Sequence, residues 1–111
     1  MHELRLGRAL YLMVIGPAGS GKTTLTAAFG KWVEENQGFP VAYVNLDPGA
    51  DYLPYRADVD VREWVTVQRL MKERGLGPNG ALVASMEEVY ARRREILERV
   101  ANLDAEFVLV D

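Results

Sequence analysis

The stretch Gly16-Pro17-Ala18-Gly19-Ser20-Gly21-Lys22-Thr23 fits the pattern G-x-x-x-x-G-K-[ST] at every position, and its flanks constrain the fold more than anything else in the chain. Before it runs the apolar segment 9–15, short and closed by Gly16. After it comes 22–37, where Leu25, Ala28, Phe29, Trp32 and Val33 recur at helical spacing and Gly38 supplies the stop. A buried strand feeding a glycine turn and then an amphipathic helix is the opening unit of a parallel α/β sheet. The glycines let the backbone curl so that successive N–H groups converge, and the helix directs its positive end to the same point. Such a point suits a polyphosphate. Lys22 adds a full charge toward β- and γ-phosphates, the Thr23 hydroxyl is the expected Mg²⁺ ligand, and Thr24 falls beside the α-phosphate. The expected nucleotide-binding residues are Gly16, Pro17, Ala18, Gly19, Ser20, Gly21, Lys22, Thr23 and Thr24.

The rest of the chain continues the alternation. Residues 41–46 read as a second strand, and 47–60, with two prolines, a glycine and four aspartates, as a loop. Helical spacing returns over 61–74 through Val61, Trp64, Val65 and Met71, and 75–80 interrupts it with three glycines and a proline. Ser85, with Glu88 three residues on, has the pattern of a capping box opening a last helix. Met86, Val89, Tyr90, Ile96, Leu97 and Val100 form that helix's apolar stripe, while Arg92, Arg93 and Arg94 beside Glu95 and Glu98 read as a solvated face. Residues 107–110 are a third strand, ending at Asp111. The expected fold class is α/β, a P-loop NTPase parallel sheet with flanking helices, incomplete at about three strands.

Composition removes several chemistries. A chain of 111 residues makes one small domain, and 13 basic against 16 acidic residues leave a net charge of −3, so no direct nucleic-acid partner is expected. There is no cysteine, which excludes disulfides and thiolate sites and suits a cytoplasmic protein. His2 is the only histidine, near a terminus, and the two serines, Ser20 and Ser85, have no base to activate them. The longest apolar run, 9–15, is far short of the ~20 residues of a membrane span, so no membrane partner is expected. Arg5 and Arg8 before that run imitate a secretory signal, but the phosphate loop directly after it marks the run as a strand.

The loop pattern alone does not separate GTPases, ATPases and small-molecule kinases. Asn45-Leu46-Asp47-Pro48 closes the second strand, where ligands of open α/β sheets bind, and an aspartate there can reach a metal-bound or attacking water. Asp58-Val59-Asp60-Val61-Arg62-Glu63 lies where a loop becomes a helix. In Gly77-Pro78-Asn79, Pro78 fixes φ while Gly77 and Gly80 permit sharp turns, leaving the Asn79 amide at the tip of a protrusion. Each has a plainer reading: Asp47-Pro48-Gly49 is a good turn, Asp60 a good helix cap, and Gly-Pro-Asn an ordinary loop.

Together and in this order, over 11–111, these motifs resemble the GPN-loop GTPases of archaea and eukaryotes. The resemblance implies a Mg²⁺-dependent GTPase that binds GTP and GDP and acts as a homodimer, with Asn79 projecting across the interface toward the phosphates of the other subunit. It implies that Asp47 positions Mg²⁺ or the attacking water and that Asp111 is the Walker B-type aspartate touching Mg²⁺ through water. The implied catalytic set is Lys22, Asp47, Asn79 and Asp111, and the implied metal set Thr23, Asp47 and Asp111. Members of the family look like assembly switches, which implies a protein-complex client. One departure is Gly49, where the family more often carries alanine, with little effect expected.

The family continues past this aspartate with Pro-Gly-Gln and a guanine-reading Asn-Lys-x-Asp segment. Residues 1–111 therefore read as the N-terminal portion of one P-loop GTPase domain, and guanine preference rests on the resemblance. In the family's strand order 9–15 would be a bare sheet edge, so poor stability or self-association of this stretch alone is expected, as is doubtful hydrolysis. Two alternatives remain open. One is an ATP-dependent kinase, for which Arg92, Arg93 and Arg94 are the only candidate lid residues; the other is a non-catalytic, nucleotide-dependent assembly module.

Overall fold

The computed structural model describes the backbone of residues 2–6 and, with side chains, residues 9–16 and 20–111. Five strands, β1 (His2–Leu6), β2 (Ala9–Met13), β3 (Val41–Asn45), β4 (Val59–Asp60) and β5 (Phe107–Val110), form one sheet in the order β1-β2-β5-β3-β4. Strands β2, β5, β3 and β4 run parallel, and β1 lies antiparallel along β2, with His2 opposite Met13 and Leu6 opposite Ala9. The three expected strands are present, but among the described residues the sheet has five strands rather than about three. Two local causes account for the difference. Asp58 clamps the 47–60 segment onto β3, its carboxylate accepting from the Tyr43 N–H at 2.9 Å and its own N–H donating to the Tyr43 carbonyl at 2.8 Å. That brings Val59 alongside Val44 and makes β4. At the other side, β1 takes the flank of β2 expected to be bare, so β2 is paired on both sides and His2 belongs to a strand.

Among the described residues there are four α-helices, α1 (Lys22–Gln37), α2 (Val67–Arg74), α3 (Pro78–Ala91) and α4 (Arg93–Ala101); α1 and α4 pack on the sheet, and α2 packs on α3. Successive strand residues face opposite sides. Tyr43, Leu12 and Leu109 pack with Phe29 of α1, while Ala42, Val44, Val59 and Val108 pack with Ile96 and Val100 of α4. A smaller cluster, Val65, Leu70 and Ala81, joins α2 to α3. The near-continuous apolar runs of β3 and β5 reflect this two-sided burial.

Helix α1 begins and ends where expected, but its buried residues are Thr26, Gly30 and Val33, while Leu25 and Trp32 are about half exposed at 49% and 50%. The physical reason is Gly30. A Cβ there would run into the Tyr43 hydroxyl and ring, so the glycine lets the helix lie close on the sheet. The expected helix over 61–74 is split into a single 3₁₀ turn, Val61–Glu63, and α2, whose first turn is capped by the Thr66 hydroxyl accepting from the Arg69 N–H at 3.1 Å.

Ser85 is not a cap. It lies fully buried inside α3 with its hydroxyl donating to the Leu82 carbonyl at 2.7 Å, because the helix already starts at Pro78. The expected last helix is also interrupted at Arg92, before α4. Of its stripe, Ile96 and Val100 are buried and Val89 partly so, whereas Met86, Tyr90 and Leu97 are exposed. Arg92, Arg93 and Arg94 are exposed as expected, with the Arg93 guanidinium over the Tyr90 ring at 4.1 Å.

Candidate functional site

The phosphate-loop pattern ends at the first turn of α1. Gly21 sits at φ 86°, a left-handed conformation that a side chain would strain, which is why glycine precedes Lys22. A Cβ on Gly16 would come within 2.7 Å of the Ser20 Oγ, a contact that rotation of the serine hydroxyl relieves, so the glycine that the backbone itself requires is Gly21. Pro17, Ala18 and Gly19 lie outside the described residues.

Lys22, the first residue of α1, reaches across to the end of β5. Its Nζ is 3.3 Å from Asp111 Oδ1. Asp111 extends the parallel ladder, its N–H donating to the Val44 carbonyl at 2.8 Å and its carbonyl accepting from the Leu46 N–H at 2.9 Å. Its side chain is only 1% exposed. A carboxylate so buried needs a partner on each oxygen, and the second accepts from the Tyr55 hydroxyl at 2.8 Å. Burial, then the hydrogen bond to Asp111 and that group's charge, push the Tyr55 hydroxyl far above the ordinary tyrosine range, so it stays protonated and a donor.

Asp47 is placed by a second polar network. Asn45, fully buried at the end of β3, donates from Nδ2 to the Asp47 carbonyl at 3.1 Å and to Asp60 Oδ1 at 3.0 Å, and accepts from the Asp47 N–H at 3.0 Å. The Asp47 carboxylate then accepts from the Gly49 N–H at 2.9 Å, so the turn reading of Asp47-Pro48-Gly49 holds as well. Asp60 caps the 3₁₀ turn by accepting from the Arg62 N–H at 3.0 Å, and its carboxylate pairs with the Arg62 guanidinium at 2.7 Å. Arg62 in turn donates to the carbonyls of Ala50 and Asp51 at 3.1 and 3.3 Å, tying the turn after Asp47 to the start of the helical region. Burial alone would raise the Asp60 carboxyl, but hydrogen bonds from Arg62 and Asn45 outweigh it and hold the group below its ordinary value. Hydrogen bonding to Asp60 likewise holds the Arg62 guanidinium above its own.

These elements meet in a cleft of about 550 Å³ at the carboxyl ends of the parallel strands, lined by Gly16, Lys22, Asp47, Asp111 and, from α3, Leu82 and Met86. Thr23 follows Lys22, half-buried, and Thr24 faces a neighbouring groove with Tyr43 and Tyr55. Asn79 is not brought to the cleft. Instead of tipping a protrusion it is exposed in the first turn of α3, with Gly77 as N-cap and Pro78 in the first helical position. A second cleft, of about 570 Å³, opens at the opposite ends of the strands beside Ala9, Pro40 and Glu106 and holds none of the candidate residues.

Among the described residues no group of three or more His, Cys, Asp or Glu could cage a metal ion. Mg²⁺ held by one or two carboxylates, waters and phosphate oxygens needs no such cage, and the carboxylates of Asp47 and Asp111, which line the cleft, fit it; the Thr23 hydroxyl, next in the chain to Lys22, has the right chemistry but is not among the lining residues. Sequence reasoning missed Tyr55, Arg62, Leu82 and Met86 at the site. For Tyr55 and Arg62 a signal existed, an aromatic beside Pro54 within a polar loop and an arginine two residues from Asp60, but neither points to its partner. Leu82 and Met86, one helical turn apart, carried only the signal of an ordinary apolar face.

A family model described as a conserved hypothetical ATP binding protein matches residues 14–111. The chain is 47% identical over 104 residues to a GPN-loop GTPase of Pyrococcus abyssi, covering 92% of this chain and 41% of that protein. It belongs to the GPN-loop GTPase family. GPN-loop GTPase 3 of Dictyostelium discoideum is 36% identical over 99 residues, covering 89% of this chain and 34% of its own. The crystal structure of an apo GTPase from Pyrococcus abyssi superposes with a TM-score of 0.84 at 46% identity, covering 91% of this chain and 40% of that one. This GPN-loop sequence thus spans about two-fifths of the archaeal relative and less of the others. The parallel sheet of β2, β5, β3 and β4 with its flanking helices is the corresponding part of a P-loop GTPase fold.

Proposed function

We propose that the protein containing this chain binds and hydrolyses GTP with Mg²⁺, and works as a homodimeric, cytoplasmic switch in the assembly of a larger complex. Residues 1–111 are then the N-terminal portion of its P-loop domain. One observation carries the proposal: Lys22 from the phosphate loop, Asp111 from the end of β5 and Asp47 from the end of β3 converge on one cleft. Phosphoryl transfer asks for positioning and charge more than covalent help, and these groups can supply both. In this reading the backbone of Gly16, Pro17, Ala18, Gly19, Ser20 and Gly21 cradles the phosphates, with Thr24 beside the α-phosphate. Lys22 draws the β- and γ-phosphates, Thr23 and Asp111 hold Mg²⁺, and Asp47 orients either the ion or the attacking water. Mg²⁺ supplies charge neutralisation on the phosphates. Asn79 serves in trans, which its exposed position at the start of α3 allows, and the exposed apolar residues Leu82, Val83 and Met86 that follow suit a subunit contact. Among the described residues no helix is long and apolar enough to cross a membrane.

Release of bound nucleotide from the full-length protein by denaturation, followed by chromatography, tests the proposal. Guanine nucleotide supports it. Adenine nucleotide would favour an ATP-dependent enzyme, the reading suggested by the description of the matching family model.

A further inference from the structure

Asp111 is held on two sides by groups of different kinds. Lys22, on Oδ1, belongs to the phosphate loop and is the group a phosphate would recruit. Tyr55, on Oδ2, belongs to a segment with no part in the loop pattern. Its ring stacks on Tyr43 with centroids 4.8 Å apart and planes 16° from parallel, in the cluster that contains Leu12 and Leu109. The segment bearing it is fastened at one end by Arg62 on the Ala50 and Asp51 carbonyls and at the other by Asp58 on Tyr43. Tyr55 is therefore a fixed point, whereas Lys22 is a long, flexible side chain with its charge at the cleft.

We propose that Tyr55 is a positioning residue for Asp111: its hydroxyl fixes one carboxylate oxygen and leaves the other to face the phosphate side of the cleft. The assignment rests on the nucleotide function proposed above. When a phosphate takes over the Lys22 ammonium, a carboxylate that is 1% exposed keeps a single neutral partner, and a cation must replace the one it loses. Nucleotide and Mg²⁺ would therefore bind with mutual reinforcement, and the Tyr55 hydroxyl sets its size by holding Oδ2 so that Oδ1 is the oxygen left toward the cleft. Tyr55→Phe deletes that hydroxyl and keeps the ring stack.

The experiment titrates a fluorescent, non-hydrolysable GTP analogue into the full-length protein with Mg²⁺ and with a chelator, and takes the ratio of the two dissociation constants. Tyr55→Phe is expected to lower the ratio by about tenfold, with the constant in chelator within about twofold of wild type. Tyr43→Phe, which also keeps the stack, is expected to leave the ratio within about twofold. An undiminished ratio in Tyr55→Phe overturns the assignment, and so does loss of coupling only in Tyr55→Leu, which would make the ring and not the hydroxyl responsible. A wild-type protein that binds no guanine nucleotide in either condition defeats the proposed function first and this assignment with it. Coupling that persists in Tyr55→Phe defeats this assignment alone.

Discussion

Residues 46–58 and helix α3 border the same cleft and are held in place by opposite means. The segment has no helix or strand of its own, yet it is laced by Asn45, Asp58, Asp60 and Arg62 at both ends and anchored by Tyr55 on Asp111 in the middle. Among the described residues no buried side-chain nitrogen or oxygen lacks a partner. Helix α3 is regular from Pro78 to Ala91, yet only Ala81 and Ser85 of it are buried, and Leu82, Val83, Met86 and Tyr90 are exposed. Regular backbone is thus no measure of how firmly a part is placed. In a segment without a ladder, side chains must satisfy the backbone groups, and each such bond also specifies position. A helix satisfies its own backbone and leaves its outer face free to meet something else.

The contrast can be broken most severely at Asn45. Asn45→Ala strips partners from the Asp47 N–H, the Asp47 carbonyl and Asp60 together, and should destabilise the full-length protein by about 2–4 kcal/mol in denaturant melts. A loss below about 0.5 kcal/mol would show that water replaces the network without cost. Next comes acid. The folded-state Asp60 carboxyl is depressed, so its contribution is present above the unfolded value near 3.8 and is lost as pH falls through the folded value. Asp60→Asn should flatten the acid limb of a stability profile. The alkaline side is the mirror case: burial first, then the charge of Glu34, push Tyr43 up to about 12, so its contribution is complete below pH ~10 and is lost as pH rises toward 12. Tyr43→Phe should reduce the alkaline loss and leave the part that the likewise raised Tyr55 contributes.

On α3 the effects should be small. Met86→Gln should change stability by no more than about 0.5 kcal/mol while shifting self-association in sedimentation, if the face meets a second subunit. The smallest effect belongs to Gly49→Ala. Its Cβ would meet Asp47 Oδ1 at 3.4 Å and Val67 Cγ2 at 3.5 Å, ordinary contacts, so a change within about 0.5 kcal/mol is expected and a larger one would mark the turn as tighter than these distances allow.

What the chain determined alone is local. The loop pattern, the extent of α1 with Gly38 in the left-handed region behind it, and the strand at Phe107–Val110 follow from glycine conformations and runs of apolar residues readable within a few positions. The polar motifs Asn45 to Asp47 and Asp58 to Glu63 were likewise visible as places where a strand meets a ligand face. Tertiary structure decided the rest, because each remaining feature depends on what lies opposite. Gly30 and Thr26 face the sheet in place of Leu25 and Trp32 since Tyr43 stands against the helix. Ser85 is interior because α3 starts at Pro78. Asn79 is in that helix's first turn and outside the cleft. The bond between Tyr55 and Asp111 joins residues 56 positions apart, a distance across which no spacing rule operates, and only the folded sheet brings the two together.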